Sequence, residues 1–330
     1  MINEEIGFSL WLDFIERDHL AASFGRMVER GVVNGATSNP AIFAASIASS
    51  PAYAEQLAAL AGHEPKAKYE ALAIEDIRRA AEVLLPLYEA GRDGFVSIEV
   101  DPFLCDDTEG TVEEGLRLHR EIGMPNVMIK VPATEAGYDA MRRLTAEGID
   151  VNATLIFSPV QAMRCLDAMT EGLAALRARG GEAKGVLSVF VSRFDRMLDE
   201  RLSAKGIAPG RLGIMNAAAI YNLVESRGEA AIRTLFASTG VKGGAYEADY
   251  YIKELMAPHS VNTAPLATIE AFVEEPDHRP RLPIDGEAIA HYFERVAEAG
   301  IDMSEVYDRL LREGLDAFKK AFSELLAHLE

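Results

Sequence analysis

Within the candidate strand Asn126–Val131, the run Val127-Met-Ile-Lys-Val131 is apolar on both faces of an extended chain, apart from one lysine. Successive strand side chains point to opposite faces. A strand apolar on both faces therefore belongs to a sheet covered on both sides, which is the parallel arrangement. Seven further runs read the same way: Ser9–Phe14, Val32–Thr37, Phe95–Val100, Asp150–Phe157, Val186–Val191, Leu235–Thr239 and Ser260–Thr263. Between them lie stretches with helical spacing, such as Leu116, His119 and Ile122, opened by Thr111-Val-Glu-Glu114 as a capping box. Eight strands alternating with helices predict an α/β fold, a single (β/α)8 barrel.

The 330 residues permit two domains at about 150 residues each, but one α/β barrel also fits. No composition break splits the chain, so residues 1–330 are expected to form one barrel domain. Ser304–Leu329 reads as an amphipathic C-terminal helix, packed on its own barrel or on a neighbouring copy. Glu274–Asp285, with Pro276, Pro280 and Pro283, reads as a surface loop.

Lys and Arg total 33 against 52 Asp and Glu, a net charge of −19. That balance argues against nucleic acid and against anionic membrane surfaces as partners. A small phosphorylated ligand stays compatible, because a few local cations override a remote acidic surface. The N-terminus is acidic, without a signal-peptide pattern, and no long apolar span occurs. Cys105 and Cys165 read as reduced thiols in a cytoplasmic protein. The seven histidines form no metal-binding motif, so no metal site is expected. The glycine-rich loops typical of ATP and NAD sites are lacking. The acidic run from Glu99 to Glu114 lacks calcium-loop spacing and reads, Glu99 aside, as a solvated loop and helix start.

The functional signal is polar chemistry at strand ends, which in a (β/α)8 barrel converge on one face. Asp13, Thr37 to Asn39, Glu99, Lys130, Asn152, Thr154, Ser188, Arg193, Ser238 and Lys242 all stand at or just beyond such ends. Of nine lysines, only Lys130 lies inside a strongly apolar strand. Desolvation depresses an ammonium's pKa and makes the amine a nucleophile able to form a Schiff base. The same residue also fits a structural ion pair with Glu99 or Asp13. Those two carboxylates suit general acid/base work, or pairing alone. Asn39, Asn152 and Thr154 could bind hydroxyls or place a water, or merely cap strand ends. Arg193, Ser238 and Lys242 suit a phosphate, since guanidinium matches its oxygens with a planar fork.

Together, Ser9-Leu-Trp-Leu-Asp13, Thr37-Ser-Asn-Pro-Ala-Ile-Phe43, Glu99-Val-Asp-Pro-Phe103, Ile129-Lys-Val-Pro-Ala-Thr134, Asn152-Ala-Thr-Leu-Ile-Phe-Ser158, Ser188-Val-Phe-Val-Ser-Arg193 and Val261-Asn-Thr-Ala-Pro265 carry a family pattern in order and spacing. The chain resembles the transaldolases, Schiff-base enzymes of the pentose phosphate pathway, and within them the bacterial type-2 subgroup. The resemblance implies a barrel with the imine lysine at Lys130. It implies Asp13 as the base for carbon–carbon cleavage, and Glu99 as the acid/base of imine formation through a water placed with Thr154. Asn39 and Asn152 would bind hydroxyls of the held dihydroxyacetone unit, and Ser188, Arg193 and Ser238 the rest of a sugar phosphate. It implies no metal or organic cofactor and sugar-phosphate substrates as ligands; a monomer and a homodimer are both compatible. One departure stands out: many transaldolases follow the serine closely with an arginine, whereas here Thr239-Gly240-Val241-Lys242 follows, with Lys242 the candidate replacement. Two rivals are an aldolase releasing free products from fructose 6-phosphate and a sugar-phosphate-binding barrel without chemistry. Glu99 leans against the first, because those shorter relatives carry an amide there. The complete set of Asp13, Glu99 and Lys130 leans against the second.

Overall fold

The computed structural model describes residues 3–242, 244 and 246–330. Eight parallel strands follow the chain in order: β1 (Phe8–Leu12), β2 (Gly35–Thr37), β3 (Phe95–Glu99), β4 (Val127–Pro132), β5 (Val151–Ile156), β6 (Gly185–Phe190), β7 (Ile232–Ala237) and β8 (Ser260–Ala264). Each pairs with the next, and β8 pairs back onto β1, so the sheet closes into a barrel without a free edge. Helices fill the connections. The chain thus folds as the (β/α)8 barrel expected from its apolar runs.

The strand bounds differ from expectation at their ends. Val32–Asn34 bends outside the strand, and β2 keeps only three residues. β7 starts three residues earlier than Leu235 and stops at Ala237, because Ser238 adopts φ +56° and turns the chain out of the sheet. The expected capping box at Thr111 is incorrect. The helix Thr108–Ile122 begins a turn earlier, where Asp107 accepts from Gly110 N at 3.0 Å. The Thr111 hydroxyl instead donates to Leu104 O. Glu114 accepts from Asp101 N and, with Asp101, holds Lys66 Nζ at 2.7 Å. Part of the acidic run therefore forms an ion network rather than a solvated loop.

Two apolar layers hold the barrel. Outward-facing Ile98, Ile129, Val131 and Val151 pack under the helices. Inward-facing Trp11, Phe95, Met128, Val186, Leu235 and Val261 fill the interior. Beneath them Asp93 accepts from Trp11 Nε1 at 2.9 Å and pairs with Arg233 at 2.7 Å. Most inward positions nearer the C-terminal strand ends are polar, Phe190 and Ala237 aside, so the interior changes from packing to chemistry along its axis.

The helix Met303–His328 supplies the upper boundary. Its 26 residues span about 39 Å at the helical rise. Val306, Leu310, Gly314, Phe318, Phe322 and Leu325 form its buried stripe. That stripe lies on the chain's own barrel, against the helix Pro40–Ser49 and over the strand ends. The loop after Glu274 is largely exposed, but Leu282 is buried and its amide donates to Met256 O.

Candidate active site

The strand register decides which side chains meet. In the closed sheet Glu99 of β3 lies level with Lys130 of β4, and Lys130 with Asn152 of β5. All three point inward, and on β4 the residue two positions below Lys130, Met128, belongs to the apolar interior layer. Lys130 is therefore flanked on one side by a carboxylate and on the other by an amide. Lys130 Nζ lies 3.7 Å from Glu99 Oε2 and donates to Ser38 O at 3.2 Å. The Phe318 ring sits 5.8 Å from Nζ and covers it from the C-terminal helix.

Both neighbouring carboxyls hold their protons more tightly than usual. Burial pushes Glu99 up to about 7, against an opposing pull from the Lys130 charge. Burial likewise raises Asp13, while Lys130 and a hydrogen bond from Thr37 oppose it. Asp13 opens into the cleft but lies deep below the surface. The Thr37 hydroxyl donates to Asp13 Oδ1 at 2.7 Å and accepts from Thr263 at 2.7 Å, so the carboxylate is fixed in direction. A carboxyl that titrates near neutrality, as Glu99 does, can exchange protons with a reacting group at physiological pH.

A hydrogen-bonded line crosses the floor. Ser188 of β6 donates to Asn152 Oδ1 at 2.7 Å, and Asn152 Nδ2 donates to Ser97 of β3 at 3.0 Å. This line spans from β3 to β6, past β4 and its lysine. Asn39 uses its Oδ1 to cap the helix Pro40–Ser49, accepting from Ile42 N, which leaves its NH2 for the cleft. Two buried polar atoms, Glu99 Oε2 and Thr154 Oγ1, have no hydrogen-bond partner among the described residues. Thr154 stands at an irregularity in β5, where Leu155 takes φ +57° and the pairing shifts register. Gln161 holds this bend by accepting from Phe157 N and Ser158 N and donating to Ala133 O.

Above the floor opens a cleft of about 850 Å³. Of the sequence-derived candidates, Asp13, Asn39, Lys130, Ser188, Arg193, Ser238 and Lys242 line it. Glu99, Asn152 and Thr154 are buried and do not. Arg193 is the second residue of the helix Ser192–Ser203, and its guanidinium lies 5.0 Å from the Phe190 ring. Gly314 of the C-terminal helix lets that guanidinium approach; a Cβ there would stand 3.2 Å from Nη1 and 3.0 Å from Leu155 Cδ2. Ser238 meets Ser192, hydroxyl to hydroxyl, at 3.1 Å.

Sequence reasoning missed Thr263, Arg196 and the residues Arg309, Leu310, Glu313 and Phe318 of the C-terminal helix, all of which line the cleft. Leu310 and Phe318 were legible only as members of an apolar stripe.

A closed (β/α)8 barrel with a buried lysine between two carboxyls at its C-terminal mouth defines an enzyme-type barrel site. A family model described as Transaldolase/Fructose-6-phosphate aldolase matches residues 10–329. A curated relative named Transaldolase, from Campylobacter jejuni, is 43% identical over 98% of this chain and 99% of its own length. Another of that name, from Helicobacter pylori, is 40% identical over 97% and 98%. A solved structure of a putative fructose-1,6-biphosphate aldolase from Coccidioides immitis overlaps loosely, with a TM-score of 0.32 and 10% identity over 97% of this chain and 90% of that one. The chain belongs to the transaldolase/fructose-6-phosphate aldolase family, a family of enzymes. Among the described residues no group of three metal-binding side chains occurs, and no helix is long and apolar enough to cross a membrane.

Proposed function

We propose that this chain is a transaldolase. It would transfer a dihydroxyacetone unit from sedoheptulose 7-phosphate to glyceraldehyde 3-phosphate, giving erythrose 4-phosphate and fructose 6-phosphate, in the pentose phosphate pathway of the cytoplasm. The observation that carries this reading is the Glu99–Lys130–Asn152 register at the floor of the cleft, with Asp13 on the opposite wall.

Lys130 Nζ adds to the ketone carbon of the donor. Glu99 gives a proton to the departing hydroxyl, water leaves and a protonated imine forms. Its raised affinity for protons suits it to hold that proton near pH 7. Asp13, aimed by Thr37, removes a hydroxyl proton; the carbon–carbon bond breaks and its electron pair flows into the imine. The four-carbon aldose leaves, and the enamine stays bound to Lys130. It then attacks the acceptor aldehyde, Asp13 returns its proton to the new hydroxyl, and hydrolysis of the imine frees the product. The imine itself is the electron sink, so this scheme needs no cofactor. Asn39, Asn152 and Ser188 fit the hydroxyls of the held unit, and Arg193 with Ser238 fits the phosphate.

Borohydride reduction in the presence of fructose 6-phosphate tests the reading. The expected result is a stable adduct mapped to Lys130 by mass spectrometry, absent in Lys130→Ala. No adduct, or an adduct elsewhere, refutes it. Release of free dihydroxyacetone as fast as transfer would favour the aldolase instead.

A further inference from the structure

In a chain of net charge −19, one cleft gathers four cations besides Lys130: Arg193, Arg196, Lys242 and Arg309. Only two carboxylates, Asp13 and Glu313, line the same cleft among the described residues. Of the four, Arg309 is engaged: its Nε donates to Glu313 Oε1 at 2.7 Å. Lys242 is exposed on the coil beyond β7. Arg196 is exposed too and Arg193 half-buried, but one helix carries both, rather than coil. They stand three residues apart, and so on one face, of the helix Ser192–Ser203. Neither forms an ion pair or side-chain hydrogen bond among the described residues.

Two like charges on one helix face repel. Burial, and then the Arg196 charge, hold the Arg193 guanidinium below its ordinary range, against an opposing pull from the Glu313 carboxylate. The helix cannot relieve this by shifting, because it is fastened from behind. Asp195 accepts from Gly213 N at 2.9 Å and from Tyr251 OH at 2.7 Å. Asp199 accepts from Gly210 N at 2.8 Å and from Tyr246 OH at 2.5 Å. Two guanidiniums without an ion-pair partner, carried by a fixed helix at the wall of a cleft, are relieved by a bound dianion, and the planar forks suit phosphate oxygens.

We propose that Arg196 is the second cation of the phosphate subsite, closing a two-arginine clamp with Arg193, while Lys242 and Arg309 stay outside it. This rests on the sugar-phosphate reading above and specifies which residue of this chain selects for the phosphate.

The test titrates inorganic phosphate calorimetrically into the full-length protein and its Arg196→Gln, Lys242→Gln and Arg309→Gln variants. It then compares KM for glyceraldehyde 3-phosphate with KM for unphosphorylated glyceraldehyde. One lost charge-assisted contact corresponds to roughly a 10- to 100-fold weaker Kd. Arg196→Gln is expected to show that loss for phosphate, a parallel rise in KM for glyceraldehyde 3-phosphate, and little change in kcat or in KM for glyceraldehyde. The clamp is overturned if the parent binds no phosphate or if Arg196→Gln binds it as the parent does. It is equally overturned if Lys242→Gln or Arg309→Gln loses as much, or if both acceptors lose equally. Phosphate binding is read without turnover. A parent that binds phosphate through Arg196 but transfers nothing refutes the transferase reading alone; transfer with unchanged phosphate binding in Arg196→Gln refutes the clamp alone.

Discussion

Glu99→Gln keeps the shape of the side chain and removes its titration. In the folded protein Glu99 is raised from an ordinary 4.5 to about 7, chiefly by burial. At about 1.4 kcal/mol per pH unit, that displacement corresponds to about 3 kcal/mol between the two protonation states. The sign follows from which state holds the proton. Below pH 4.5 both folded and unfolded chains carry it, and stability is unaffected by this group. As the pH rises from 4.5 to 7 the unfolded chain releases its proton first, so stability falls. Above 7 the loss is complete, at up to about 3 kcal/mol. Glutamine has no proton to lose. The stability of Glu99→Gln minus that of the parent is therefore expected to rise by up to about 3 kcal/mol between pH 4.5 and 8. Urea denaturation across that range, followed by fluorescence of the single, fully buried Trp11, measures it. A difference that stays flat or falls with pH refutes the assignment of a raised proton affinity to Glu99. The same variant is expected to lose roughly 10²- to 10⁴-fold in kcat/KM, the usual weight of a general acid/base, and with it the pH limb near 7.

Two further expectations concern the frame around the site. Arg17 Nε meets Asp76 Oδ1 at 2.8 Å in a buried pair that Tyr53 OH completes by donating to Oδ2 at 2.8 Å. Arg17→Met strands the carboxylate and should cost about 3–5 kcal/mol in urea denaturation, whereas Arg17→Met/Asp76→Leu should recover part of it; a double variant worse than the single one refutes this account. Gly314→Val places methyl groups against Leu155 and the Arg193 guanidinium, and should cost about 1–3 kcal/mol and raise KM for the sugar phosphate more than it lowers kcat. An unchanged melting temperature and KM would show that the C-terminal helix does not press on Arg193.

The eight strands were legible because burial on both faces leaves a local signature that needs no partner to be read. Their ends were less so. The turn at Ser238 depends on a positive φ, and the start of the helix Thr108–Ile122 on which of two nearby side chains reached the free amides first; Asp107 did, and Thr111 turned to Leu104 O. Asp13, Glu99 and Lys130 were legible because a charge inside an apolar run is costly and so demands a reason.

The sequence by itself determined the barrel, its polar mouth and the lysine within it, since alternation and spacing are properties of neighbours along the chain. Tertiary structure decided what those residues meet. The register set Glu99 and Asn152 on either side of Lys130. Closure of the sheet buried Glu99 enough to raise its proton affinity. The C-terminal helix read only as amphipathic, because periodicity tells which face is apolar and not what covers it. Folded, that face places Phe318 over Lys130 and Gly314 beside Arg193. Arg196 carried no signal at all in the sequence. An arginine on a polar helix face is ordinary, and only the fold brings its charge to the wall of a cleft that already holds another.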